Sequence, residues 1–552
     1  MGSRLLAPAY SLVLALTIGG RLVQPGCLLL RDAVATPLSY LTDSALGLGD
    51  TAPRAVPQDA ALAVLSHVLD GCVVVKIMLI AALWLAGWGA ARMVTAVLDV
   101  GVAEGLVATT VTVWNPYVAE RLLQGHWSLL VGYAALPWTV CACLRLRAGH
   151  GWPAWCALAL CLAAAGITPT GALLATVIAL VTVGPRRIPG VLGLTVVASA
   201  PWLVASLLGT GGASDPSGVA AFAARAEPGL GTLGSLAGLG GIWNADAVPG
   251  SRTSWFALVA TVALLVVVAL GIPTLWRRRD LWGLAVLGGV ALGLTALAAT
   301  PSGLRTLEWL VANVPGAGLL RDTQKWVALA VPVYAIAAAA GCRAVGARVG
   351  SITGTAVALC ALVVVVLPDL IWPSALRPVT YPPGWAQVAA AVQDSPGDVA
   401  VLPAGMFRVF DWAGETPVLD PAPRLLPADV LQTGDLVVRG KTVHGEGTRA
   451  TAVQQLLLDG ADPAGLADLG VSWVLVERSP GPLGESRRTL DGLDLVFSDD
   501  ELTLYRVPGV TQRDTTDGGI TIAAHLLWAA LLAGGLAGVV VAGIRQRRAD
   551  QA

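Results

Sequence analysis

Apolar residues run along this chain in long unbroken blocks, with no helical or strand alternation inside them. "FALVATVALLVVVALGI" and "TGTAVALCALVVVVL" are apolar on every face, a pattern that fits a membrane span and not an amphipathic surface helix. Blocks of this kind predict about twelve transmembrane helices, at roughly 7–23, 71–91, 98–114, 128–144, 152–167, 169–184, 188–208, 255–275, 281–300, 323–342, 351–371 and 518–544. The pattern changes between the last two. "DVAVLP", "LVVRGKTVHG", "VSWVLVER" and "LDLVFSDDELTLYRV" are Val/Leu-rich runs bounded by Pro, Gly or Asp, and predict strands or hairpins. "WAQVAAAVQ", "TRATAVQQLLLDG" and "PAGLADLG" predict helices, the last two closed by Gly. Helix, glycine and buried strand in succession make an α/β unit. The expected fold is a polytopic α-helical membrane protein carrying one small α/β domain. The bundle would cover 1–372, the domain 373–516, and the last helix with its basic tail 517–552.

Arginines orient the bundle. With the N-terminus in the cytoplasm, the inner turns hold Arg92, the pair Arg145 and Arg147, the pair Arg186 and Arg187, "RRR" at 277–279, Arg343 with Arg348, and "RQRR" at 545–548. Every inward turn is then basic, as the positive-inside rule requires. This predicts a multi-pass plasma-membrane protein with both termini cytoplasmic and 373–516 extracytoplasmic. The outer loops are then 24–70, 115–127, 209–254 and 301–322. The first span lacks a small-x-small cleavage site, so we expect it to stay as a signal anchor. From Gln58 on, "DAALAVLSHVL" predicts a helix lying along the interface.

Composition agrees with a membrane protein: 55% hydrophobic, 13% charged, mean hydropathy +0.71. The net charge of −1 gives no sign of a nucleic-acid partner. Six of the eight cysteines lie in or at the ends of apolar blocks, which favours packing roles over a disulfide framework or a zinc site. A Cys27–Cys72 bridge at the outer ends of the first two spans is left open.

The candidate chemistry lies in the outer connections. "WNPYVAERLLQGHW", at 114–127, joins two apolar blocks with far more polar chemistry than a hairpin needs. A helix from Pro116 would put Glu120 and Gln124 on one face with Arg121 beside them, and His126 and Asn115 flank it. Trp114, Tyr117 and Trp127 would form an aromatic belt at headgroup depth. Asp32, beside Arg31 just past the first span, has the position of a general base or a metal ligand. In "GLLRDTQKW", Arg321 and Lys325 are four apart, and on one helical face they would suit an anion. Asp32, Glu120 and His126 are therefore the catalytic candidates, expected to meet in one outer cavity. Partial burial is expected to raise the pKa of Asp32. Arg31, Asn115, Arg121, Gln124, Arg321 and Lys325 are the binding candidates. The first outer loop shows no acidic pair, so no metal ligands are assigned, although a divalent cation held by Glu120 and His126 is left open.

An Asp at the mouth of the first span, an interfacial helix, a polar second outer loop and a late α/β domain together resemble the GT-C superfamily of membrane glycosyltransferases. "GLGDTAPRAVPQDA" and "WNPYVAERLLQGHWSLLVGYAALPW" look like uncharacterised actinobacterial membrane proteins of this layout. The resemblance implies sugar transfer from a polyprenyl-phosphate donor to a glycan or lipid acceptor of the cell envelope, on the outer face of the membrane. Two other readings compete with it: a non-enzymatic envelope scaffold, and a lipid or solute transporter. Lys76 and Glu104 are the main charges within spans, and we expect them to pair.

Overall fold

The computed structural model describes residues 2–49, 52–209, 214–395, 397–438, 440–510 and 518–551. A helix forms at each of the twelve apolar blocks. Eight are long and apolar enough to cross a membrane: Leu5–Val23, Gly71–Leu98, Trp127–Arg147, Pro185–Leu208, Phe256–Arg277, Arg279–Ala298, Thr323–Val349 and Gly519–Ala549. The other four are shorter than the blocks suggested. Val102–Val113 has 12 residues, Ile352–Val365 has 14, and Gly151–Ala165 and Pro169–Val183 have 15 each. At about 1.5 Å per residue none of these reaches the ~30 Å of a hydrocarbon core unaided. Ile352–Val365 turns by 85° into Pro368–Leu376, and counting that bent pair as one span gives nine. Composition set where the helices lie; caps and prolines set how long they are.

The helix Gly71–Leu98 fixes the two ends of the bundle. At its first turn Cys72 is joined to Cys27 by a disulfide, so the bridge forms and the packing role expected of these two cysteines is corrected. The other six cysteines are free. Lys76 donates to the carbonyl of Gln24 at 2.7 Å instead of pairing with Glu104. At the far end, ~40 Å away along the helix axis, Arg278 and Arg343 donate to the carbonyls of Val97 and Leu98.

The α/β domain is built on a four-stranded sheet in the order Asp398–Leu402, Val471–Glu477, Leu502–Arg506, Asp494–Ser498. The first pair is parallel and the others antiparallel. "DD" at 499–500 closes the antiparallel hairpin, where the Asp499 carboxylate accepts from the N–H groups of Glu501 and Leu502. Strand alternation divides the core. Val399, Trp473, Leu475 and Leu504 face the helix Gly384–Asp394, whereas Ala400, Leu402 and Val474 pack under Val453, Leu457 and Leu466 of the crossover. Arg408, buried between the carboxylates of Asp420 and Glu477, ties a loop to the sheet. The join at 511–517, where the domain is expected to give way to the last helix, lies outside the described residues.

The domain grips the first outer loop. Cys27 and Val379 exchange backbone hydrogen bonds of 2.7 and 2.9 Å, and Leu419 N–H donates to the Arg31 carbonyl at 2.8 Å. Leu29 and Val34 are buried in the domain's core. Between them, Leu29–Leu30 pairs with Ala33–Val34 to form a minimal hairpin with Arg31 and Asp32 at its tip. The two proteins' worth of structure, bundle and domain, therefore meet at the candidate base.

Candidate active site

The helix Pro116–Gln124 begins on an Asn-Pro signal. Asn115 accepts from Val118 N–H at 3.0 Å, and Pro116 supplies a first-turn residue with no N–H to satisfy. Gly125 ends the helix at φ 84°, and there the hairpin tip presses onto it. A Cβ at Gly125 would lie 2.3 Å from the Ala33 nitrogen and 2.4 Å from the Leu30 oxygen, so only glycine permits the approach. Asp32 N–H then donates to the Gln124 carbonyl at 3.1 Å. This backbone contact brings residues 32 and 126 together.

The side chains complete the pairing. His126 Nε2 lies 2.9 Å from Asp32 Oδ2, and Gln124 Nε2 donates to the same oxygen at 3.1 Å. On the other side of the imidazole, Nδ1 lies 3.0 Å from Arg121 Nη1. A guanidinium only donates, so Nδ1 must accept and Nε2 must carry the proton. His126 is thereby fixed as a neutral imidazole donating to a carboxylate. Burial pushes its pKa down, and the Lys325 and Arg121 charges act the same way against the opposing pull of Asp32. For Asp32, burial pushes upward, but the bonds from His126 and Gln124 and the Lys325 charge outweigh it. The carboxyl sits below the usual range, opposite to the expected rise. Its second oxygen, Oδ1, accepts no hydrogen bond among the described residues.

Asp32 and His126 line a cavity of about 2110 Å³ between the bundle and the domain, with Arg31, Gln124, Arg321 and Lys325. Of the three catalytic candidates, two meet there. Glu120 does not reach the cavity. It is fully buried and accepts from Gly241 and Ile242 N–H at 3.0 and 3.1 Å and from Gln324 Nε2 at 3.0 Å. Burial first, then the Glu227 carboxylate, pushes its pKa up to about 8, against the pull of Arg121, Arg252 and the Ile242 N–H. Its role is to seat the 240–242 loop on the helix.

The binding candidates divide in the same way. Asn115 turns inward, with Nδ2 on the carbonyls of Val111 and Thr112 and on the Tyr133 hydroxyl, and acts as a cap. Arg121 is buried and pairs with Asp322 at 2.8 Å, with Gln324 as a further acceptor. It orients His126 without touching the cavity. Gln124 bridges Asp32 to Asn244, whose Nδ2 donates to Oε1 at 2.8 Å. Arg31 spends its guanidinium on the carbonyls of Leu123 and Asp246. Arg321 and Lys325 both face the cavity, but they do not share a helical face as expected. The segment Thr323–Ala330 is a 3-10 helix, and Arg321 precedes it. Arg321 lies 3.6 Å from Glu446, which Arg54 already holds at 2.6 Å; Lys325 lies 3.7 Å from Asp322, which Arg121 already holds. Each base therefore leans on a carboxylate that has a closer partner, and its charge remains available to an anion.

Asp322, Asn244 and Gln324 were not among the candidates named from the sequence. Asp322 was within reach, flanked by two bases in the quoted segment. Asn244 and Gln324 carry no signal of their own. Among the described residues no group of three or more His, Cys, Asp or Glu could hold a metal ion. The site's chemistry does not suit a divalent cation either. Both His126 nitrogens are engaged and Glu120 is turned away, which removes the two ligands left open for one.

No protein-family model matches the chain, and no curated protein matches it by sequence. Solved structures do. Arabinofuranosyltransferase AftD from mycobacteria, determined by single-particle cryo-EM, matches 93% of this chain with a TM-score of 0.58 at 18% identity. A mutant of AftD matches 92% with a TM-score of 0.56 at 17% identity. The chain spans 40% and 42% of the length of those two chains. The likeness is one of fold, and it extends over nearly the whole of this chain.

Proposed function

We propose that this chain is a GT-C-type glycosyltransferase that uses a polyprenyl-phosphate-linked sugar at the outer face of the plasma membrane, for a cell-envelope glycan or glycolipid acceptor. The observation that carries the proposal is the Asp32 carboxylate, held ionised by a tautomer-locked His126 at the wall of a large cavity that also holds Lys325 and Arg321. An acceptor hydroxyl at Oδ1 gives its proton to Asp32 as its oxygen bonds to the anomeric carbon. The bond from that carbon to the phosphate oxygen breaks, and the polyprenyl phosphate leaves with the electron pair. Lys325 and Arg321 supply positive charge for the leaving phosphate. The AftD likeness makes a pentofuranosyl donor the first to try. Purified protein in nanodiscs should release polyprenyl phosphate from such a donor only when an oligosaccharide acceptor is present. Donor binding without any release, across pentose and hexose donors, would favour the scaffold reading.

The orientation has its own support and its own test. The Cys27–Cys72 bridge lies on the site's side of the bundle, and disulfides persist in oxidising compartments. In intact cells a membrane-impermeant maleimide should label these two cysteines only after reduction. No labelling before or after reduction, with labelling appearing only once the membrane is permeabilised, would mean that the site's side faces the cytosol.

A further inference from the structure

At the end of the bundle away from the site, four helices line an open depression of about 550 Å³ whose arginines are exposed. Arg92 comes from the helix Gly71–Leu98, Arg145 from the last turn of Trp127–Arg147, Trp152 from the start of Gly151–Ala165, and Arg545 from the last helix. His150 also lines it, and no Asp or Glu does among the described residues. None of the three guanidinium groups has a carboxylate partner among the described residues; Arg545 lies over the Trp152 ring, 5.6 Å from its centre. By contrast, Arg278 at the same end is satisfied by Asp280 at 2.7 Å.

The walls are fixed by packing. The last helix approaches Gly151–Ala165 closely, since a Cβ at Gly538 would lie 2.4 Å from Cys156 Sγ and one at Gly535 2.7 Å from Leu160 N. Trp528 anchors the same pair of helices through a 2.8 Å bond to the Ala163 carbonyl. Arg545 is thus held opposite Arg92 and Arg145 by a glycine-lined helix contact. The positive-inside rule explains arginines at this end of the bundle, but not three of them from separate helices around one concavity.

We propose that this depression binds the phosphate headgroup of an anionic phospholipid from the adjoining leaflet. The three guanidinium groups are opposite in sign to a phosphodiester and can donate to its acceptor-only oxygens. The indole and the apolar helix flanks would receive the glycerol and the first acyl carbons. The site would clamp the last helix to the bundle and is independent of the transfer chemistry proposed above.

The test is lipid retention, read by native mass spectrometry and thermal unfolding of the full-length protein. In mixed micelles the wild type should retain phosphatidylglycerol in preference to phosphatidylcholine, and absence of that preference would overturn the proposal without any variant. R92Q/R145Q/R545Q should lower retention about tenfold or more, the scale expected of three basic contacts. R186Q/R187Q/R277Q removes the same charge from outside the depression and should behave like the wild type. Equal losses in the two triple variants would mean diffuse surface attraction and no site. Inorganic phosphate that stabilised the lipid-free wild type as well as phosphatidylglycerol does would assign the depression to a soluble phosphate instead. If the triple variant did not fold, R545Q alone, on the exposed face of the last helix, should still lower retention.

Discussion

Asp32→Asn should lower glycosyl transfer by about 10²-fold or more while leaving donor affinity close to that of the wild type. Asn keeps the shape and still accepts from His126 Nε2 and Gln124 Nε2 through its carbonyl oxygen, so the hairpin tip should stay in place. What it removes is the group that takes the acceptor proton. The pH profile identifies that group independently. The active form is the carboxylate, and its pKa in the folded protein is lowered. Activity should therefore persist as pH falls to about 4, the ordinary range of an Asp side chain, and fail only below it. His126→Phe withdraws the strongest of the lowering contributions and leaves burial, which raises the pKa. The acid limb should then move to higher pH. Full activity in Asp32→Asn, or an acid limb unmoved by His126→Phe, would assign the base to another residue.

The sequence showed which elements exist better than it showed which side chains face one another. Apolar blocks and arginine turns locate the helices, because both follow from transfer free energies that act on a segment as a whole. Their lengths depend on local events: Asn115 capping one helix just after Val113 ends another, and Pro368 following a bend. The four-stranded sheet of the α/β domain was legible strand by strand, since period-2 burial and Gly or Pro punctuation survive in a half-buried sheet. The two-residue pair Phe407–Arg408 and Val418–Leu419 was not. In the site, Asp32 and His126 could be picked by residue type and position, yet the contact that unites them rests on the absent side chain of Gly125. Glu120 misled because a polar face on a helix reads as solvent-facing. Here the 240–242 loop and Gln324 cover that face and satisfy it. Arg321 and Lys325 misled because a spacing of four was read as α-helical where the chain is 3-10.

Arg121→Leu is expected to have the largest effect on stability of any single change at the site. It leaves the Asp322 carboxylate buried, with Lys325 at 3.7 Å as its remaining charged partner. Removing one member of a buried ion pair typically costs about 3–5 kcal/mol, measurable by SDS-titration unfolding. The sign of the pH dependence follows from Asp322, whose pKa is lowered to about 2 because Arg121 and Lys325 outweigh its burial. A lowered carboxylate stabilises the fold above its unfolded pKa, and that contribution is lost as pH falls through about 2. The wild type should thus hold this contribution through pH 4, and the variant, left with Lys325 alone, should hold less of it. Arg121→Leu combined with Asp322→Leu removes both charges and fills the space with apolar side chains, so most of the stability should return. Transfer should not return with it. Without Arg121 nothing among the described side chains donates to His126 Nδ1, the imidazole is free to exchange tautomers, and a protonated Nδ1 would leave Nε2 with no hydrogen for Asp32. A drop of about tenfold or more in kcat with little change in KM would mark Arg121 as a positioning residue. A double variant both stable and fully active would reduce it to a packing element and leave Asp32 ionised by Gln124 and Lys325 alone.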